Sequence, residues 1–171
     1  MDDGDRKALA DIEEYGCHVV GVLEEGELPP FTYSMGIQQK TKSPEVVVVG
    51  LKQEIAHFMV NEYNRRVVAG EVFQPYKRYS GFLEGFECEV RPVHGSHFKE
   101  YFGYCWWLYK GPHFNMVQLV WPNTSGVWPW QSEASEWFQS RQPLLDAPLV
   151  EGGAPQPTVQ ADGPASGGSA A

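Results

Sequence analysis

The amino-acid sequence predicts an α+β fold: a mostly antiparallel sheet with two main helices packed on it. Strand-like runs recur at residues 17–23, 31–37, 45–51, 79–93 and 114–121, while only residues 53–69 and 98–109 show an extended helical period. The two kinds of element do not alternate regularly, which argues against a doubly wound parallel sheet. A hydrophobic fraction of 42% and an aromatic fraction of 13% over 171 residues are enough to build one sizeable core, so a single globular domain is expected over residues 1–142. By analogy with flavin-binding reductases, such a sheet could curl into a split barrel.

In chain order, residues 5–15 read as a short helix with Leu9 and Ile12 on one face and Gly16 as its stop. Cys17 to Leu23 is a strand, and Glu24 to Pro30 an acidic turn. The next strand alternates cleanly. Phe31, Tyr33, Met35 and Ile37 form a large apolar face, whereas Thr32, Ser34 and Gly36 form a small polar one that lets a helix or a ligand approach the backbone closely. Residues 38–44 read as a polar loop. The β-branched run EVVVVGL from Glu45 to Leu51 is a buried strand.

The first main helix spans about 53–69, with Ile55, Phe58, Met59, Tyr63 and Val67 on its core face and Gly70 closing it. His57 falls on the polar side as a solvated residue, and Arg65 and Arg66 complement the helix dipole. Residues 79–93 read as a strand pair or one long strand around Gly85, in which Glu87 and Glu89 belong to a solvated charged face. His94 and His97 lie three apart without a further ligand nearby in sequence, which is a weak metal signal. From Phe98 to Tyr109 the apolar spacing is helical, with Ser96 as a cap and Gly111-Pro112 as a stop.

Four of the six tryptophans lie between Trp106 and Trp130, so this stretch supplies much of the core and lines whatever cavity exists. Phe114 to Trp121 reads as a central strand with one odd residue, Gln118. Its carboxamide needs partners, either neighbouring backbone or the polar edge of a ligand. Pro122 to Gly126 is a turn, and Val127 to Trp130 an edge strand or flap because Pro129 cannot donate to a central ladder.

Charge and cysteine usage narrow the function classes. The formal net charge is −9 and no cluster of Lys or Arg stands out, so binding to a phosphate backbone is disfavoured. Cys17, Cys88 and Cys105 are odd in number and far apart, as expected of reduced core thiols. No stretch reaches the length of a membrane span and the N-terminus lacks the pattern of a secretory signal, so a cytoplasmic protein is expected. Residues 143–171, rich in Pro, Gly, Ala and Ser, read as a disordered tail.

Four motifs stand in order: Cys17-His18-Val19-Val20-Gly21-Val22, Pro30 to Ile37, Ser43 to Leu51, and Gln118 to Asn123 followed by Gly126 and Trp128-Pro129-Trp130. Together they resemble the bacterial family called domain of unknown function 4262, over about residues 11–131. The family pattern has an aromatic residue where Cys17 stands and Asp where Asn123 stands, so proton transfer at position 123 is not expected of this chain. The resemblance implies a fold and a set of positions, without a reaction or a cofactor motif.

Two functions compete. The first is a small-ligand site, enzymatic or not, gathering Tyr33, Ser34, Gln118, Trp121 and Trp130, with Tyr101 or Tyr109 on its wall; the split-barrel analogy makes FMN the first ligand to consider. The second is a protein-interaction module, an immunity or regulatory protein, that uses an acidic surface rimmed by Trp128 and Trp130.

Overall fold

The computed structural model describes residues 1–149. Six strands, β1 (His18–Val22), β2 (Phe31–Met35), β3 (Glu45–Val49), β4 (Arg78–Leu83), β5 (Phe86–Pro92) and β6 (Met116–Val120), form one sheet in the order β1-β2-β3-β6-β5-β4. Every pairing is antiparallel except β3 with β6. The apolar runs EVVVV and MVQLV occupy the middle and are buried on both faces, as parallel neighbours require. The α+β expectation therefore holds. The sheet is open, with β1 and β4 as its edges, so the split-barrel analogy and the FMN suggestion attached to it have no barrel to rest on.

Helices cover both faces. On one, α3 (Gln53–Val68) and α6 (Glu136–Arg141) meet Val46, Val48, Leu119 and Trp121. On the other, α1 (Asp3–Tyr15), α4 (Phe98–Tyr101) and α5 (Gly103–Tyr109) enclose Phe31, Tyr33, Met35, Val47 and Val49. A further short helix, α2 (Ile37–Thr41), takes the place of the expected loop after β2. The small polar face of β2 receives a helix: Thr32 Oγ1 donates to Gln53 Oε1, and the same side chain lies against Gly21.

Three features depart from the sequence reading. In α3 the buried residues are Ala56, Met59, Val60, Tyr63 and Val67, while Ile55 and Phe58, expected in the core, are 38% and 57% exposed. The helix expected over 98–109 breaks at Phe102, whose φ of −120° and ψ of 58° separate α4 from α5; α4 has no side-chain cap, and Ser96 lies instead in a short 3-10 turn, Gly95–His97, where its N–H donates to the His94 side chain. Glu89 is not solvated: it is 5% exposed, held by Arg78 at 3.1 Å and Arg91 at 2.8 Å. A bulge near Gly81 breaks the register of β4 against β5.

The C-terminal boundary also moves. Leu144 and Leu145 are buried, so residues 143–149 form a strap on the domain; the rest of the expected tail, 150–171, lies outside the described residues. Val127 to Trp130 forms no strand, and Trp128 is buried.

Gly50 marks where the end of α6 closes on the sheet. Its φ is +93°, and a Cβ there would stand 2.4 Å from the Arg141 carbonyl oxygen, a backbone atom that cannot swing aside. Gly50→Ala should cost about 3 kcal/mol. Gly70→Ala, at a similar φ with open space around it, should cost about 1 kcal/mol. Urea denaturation of both variants checks this; equal midpoints would mean that the contact with α6 is soft.

Candidate functional site

Among the described residues, a dense polar arrangement surrounds the carboxylate of Glu45, fully buried at the first position of β3. Ser34 Oγ donates to it at 2.7 Å, the backbone N–H groups of Gly36, Ile37 and Gln38 donate at 2.9, 3.1 and 3.2 Å, and the Tyr109 hydroxyl completes the set. Those three N–H groups are the unpaired donors at the start of α2, a helix without a side-chain cap of its own. Burial pushes the pKa of Glu45 up, against the hydrogen bonds that pull it down. Burial, with the adjacent carboxylate, likewise pushes the Tyr109 phenol up. All of this set's polar atoms face one another, so it acts as a structural clasp joining β2, α2, β3 and α5.

Of the seven residues proposed from sequence, Ser34 and Tyr109 meet at this clasp. The others go elsewhere. Tyr33 and Tyr101 lie in the aromatic cluster under α4 and α5, with Tyr33 edge-on to Phe102 at 5.1 Å and Tyr101 edge-on to Phe31 at 5.1 Å. Trp121 donates from Nε1 to the Val49 carbonyl at 2.8 Å. Trp130 stacks on Trp128 at 5.2 Å, with the Arg91 guanidinium 4.0 Å above its ring.

The register shows why no common hollow forms. Tyr33 pairs with Val47 and Val47 with Gln118, so Tyr33 and Gln118 share a face of the sheet while Ser34 points to the other. Gln118 and Ser34 are thus separated by the sheet itself. The Gln118 amide donates to the Pro143 carbonyl and accepts from the Leu145 N–H, both at 3.0 Å, so its partner is the strap's backbone. Gln142 does the reciprocal job, accepting from Trp121 N at 2.9 Å and donating to Trp121 O at 2.8 Å.

His97 adds another fastening, with Nε2 2.6 Å from the Ala147 carbonyl. His94 and His97 are therefore occupied by a turn and by the strap; among the described residues no group of three His, Cys, Asp or Glu could hold a metal ion. The three cysteines are buried free thiols, and burial pushes Cys17 and Cys88 up to about 12.

An open groove does exist, in a place the sequence reading assigned in part to the core. Between the first turns of α3 and the β4–β5 hairpin lies a groove of about 860 Å³. Ile55, Phe58, Phe82, Leu83 and Phe86 line it, and Glu54, Glu84 and Glu87 stand among them. The signal was available in part: Ile55 and Phe58 sit at the margin of the apolar stripe of α3, whose centre runs through Met59 and Tyr63. What hid the groove is the hairpin, whose bulge and turn glycine set how far it stands off the helix.

Fold and surface together define a three-layer α+β domain with an apolar groove open to solvent. Comparison with known families then places it: the family described as Domain of unknown function (DUF4262) matches residues 11–135, and the chain belongs to that family. No curated protein and no solved structure matches the chain.

Two outcomes follow from this geometry. Glu45→Gln keeps the shape but turns an NH₂ group toward backbone donors, and should cost about 2 kcal/mol in urea denaturation; an unchanged midpoint would show that the clasp is not needed. Burial holds the His97 imidazole below its ordinary 6.5, against the raising effect of the bond to Ala147. A depressed folded pKa means that the unfolded chain binds the proton first, so stability from this group is complete above about 6.5 and is lost as pH falls through the depressed value. The urea midpoint should therefore fall on mild acidification, and by less in His97→Gln. Equal slopes would refute the assignment.

Proposed function

We propose that this chain is a ligand-binding domain whose site is the groove between α3 and the β4–β5 hairpin, taking a small molecule with an apolar body and a positive charge. The observation that carries the reading is the exposure of Ile55 and Phe58 in the first turns of a helix that buries Met59, Val60, Tyr63 and Val67, opposite an apolar hairpin wall. A volume of about 860 Å³ falls within the roughly 300–1,000 Å³ of small-molecule sites. Three carboxylates at the lining favour a cation and repel an anion of the same shape.

The reading is one of binding and assigns no reaction. Buried, unpaired cysteines fit a reducing compartment such as the cytoplasm. No helix among the described residues is long and apolar enough to cross a membrane. The rival face built on Trp128 is weakened by its burial beneath the Arg78 guanidinium, 4.4 Å above the ring.

Tryptamine and indole-3-propionate make a matched pair of probes, since one body carries opposite charges. Calorimetric titration should show saturable binding of tryptamine alone, weakened by added salt. Neutralising Glu54, Glu84 and Glu87 together to Gln should weaken it about tenfold, as expected for partly exposed charge pairs. Phe58→Asp should abolish the apolar contact. If both probes bind alike, or neither binds, the site is misassigned.

A further inference from the structure

Of the sheet's two edges, β4 is guarded and β1 is not. β4 has a bulge near Gly81, the Arg66 guanidinium donating to the Ser80 carbonyl at 2.7 Å, and two exposed cations, Lys77 and Arg78, at its start. Such devices keep an edge from pairing with another chain. β1, with the sequence HVVGV, keeps regular register with β2 over its whole length, carries no Pro, Lys, Arg or bulge, and leaves its valines only half-buried. We propose that β1 is the pairing edge of a homodimer, in which two copies join antiparallel about a two-fold axis beside Val20 and the sheet runs on through both.

The hydrogen-bonding parity fixes which groups are free. Gly50 N donates to Pro30 O at 2.8 Å, one step beyond the pair Phe31 and Val49, so Pro30 and Thr32 turn their main-chain groups to β3 while Phe31, Tyr33 and Met35 turn theirs to β1. Their partners Val22, Val20 and His18 therefore face β2, which leaves the N–H and C=O of Val19 and Gly21 pointing out of the sheet. With the axis beside Val20, Val19 of each copy exchanges hydrogen bonds with Gly21 of the other, and the two Val20 side chains meet at the closer, non-hydrogen-bonded position.

The surroundings of the strand complement themselves, which makes a second copy the occupant. Tyr15 before β1 and Leu23 after it are 65% and 75% exposed, and antiparallel pairing lays the Leu23 of each copy a diagonal step from the Tyr15 of the other. Each end also carries an ion pair. At the Tyr15 end Lys7 meets Asp11, and the exposed member is the cation; at the Leu23 end Arg141 meets Glu24, and the exposed member is the anion. Antiparallel pairing sets Lys7 of one copy toward Glu24 of the other, and a contact of this isologous kind closes at two copies. α1 is set inward of the edge, with Ile12 packed against Gly36 after β2. The α3 grooves lie beside the opposite edge, so both stay open and face the same side of the joined sheet.

The test is self-association of the full chain. At roughly 100 μM, sedimentation and native mass spectrometry should show a species of twice the 19.2 kDa chain, weakly held because a five-residue edge is a small interface. Hydrogen exchange carries the signature: from dilute to concentrated protein the Val19 and Gly21 amides should slow at least about tenfold, while the Val20 amide, bonded to β2 in either state, keeps its rate. Lys7→Glu should weaken the dimer about tenfold, since the pair occurs twice, and adding Glu24→Lys should restore it. Val19→Pro removes an N–H that the single chain leaves facing outward, so the fold is kept and the dimer lost. A chain that stays monomeric at that concentration overturns the proposal. So does a dimer in which the Val19 and Gly21 amides keep their dilute rates, one that neither Lys7→Glu nor Val19→Pro weakens, or one dissolved by Phe58→Asp, which would give the contact to the α3 groove.

Discussion

The fold depends on a single buried carboxylate being satisfied. Glu45 opens β3, and its oxygens collect the hydroxyls of Ser34 and Tyr109 and the N–H groups that begin α2. Left without these donors, a buried acid would cost several kcal/mol; with them, it fixes the distance between β2 and β3 and ties α5 down over the sheet. The aromatic cluster of Phe31, Tyr33, Tyr101 and Phe102 then has a rigid floor to pack on.

The two faces of the sheet have been put to different uses. On the α3 face the helix covers the middle of the sheet and leaves its own first turns standing clear of the hairpin, which creates a concave apolar surface with acidic residues at its rim. On the other face, the cation–π stack of Arg78, Trp128, Trp130 and Arg91 shores up one end of the bed in which the strap lies. Its guanidinium groups are neutralised by Glu89 and Asp146, so the stack stiffens the surface more than it charges it.

Much of the architecture was legible in the sequence because periodicity reports which face of an element is buried. The strands around Val20, Tyr33, Val47, Phe82 and Leu119 were all recoverable in this way, as was the closure of α3 near Gly70. Local pattern could not say what lies opposite. Ile55 and Phe58 satisfy a helical apolar stripe whether or not the sheet reaches them. Gln118 advertises an unmet need for hydrogen bonds, yet its partner sits 25 residues away in sequence, in a segment whose Pro and Ala content hides two anchoring leucines. The break at Phe102 is likewise a tertiary effect, since nothing in the spacing from Phe98 to Tyr109 interrupts the helix. Ser34 and Gln118 each suit a pocket wall by residue type, but only strand pairing reveals that they point apart.

The single parallel pairing has a consequence for how the molecule could be taken apart. β1, β2 and β3 form one antiparallel trio and β6, β5 and β4 another, joined along a seam registered over Glu45, Val46 and Val47 against Met116, Val117 and Gln118. A nick in the connection between α3 and β4 would leave each trio's ladder unbroken. The two pieces would then have to find each other through that seam and the flanking helices, which makes the molecule a natural candidate for a split reporter whose signal returns on reassembly.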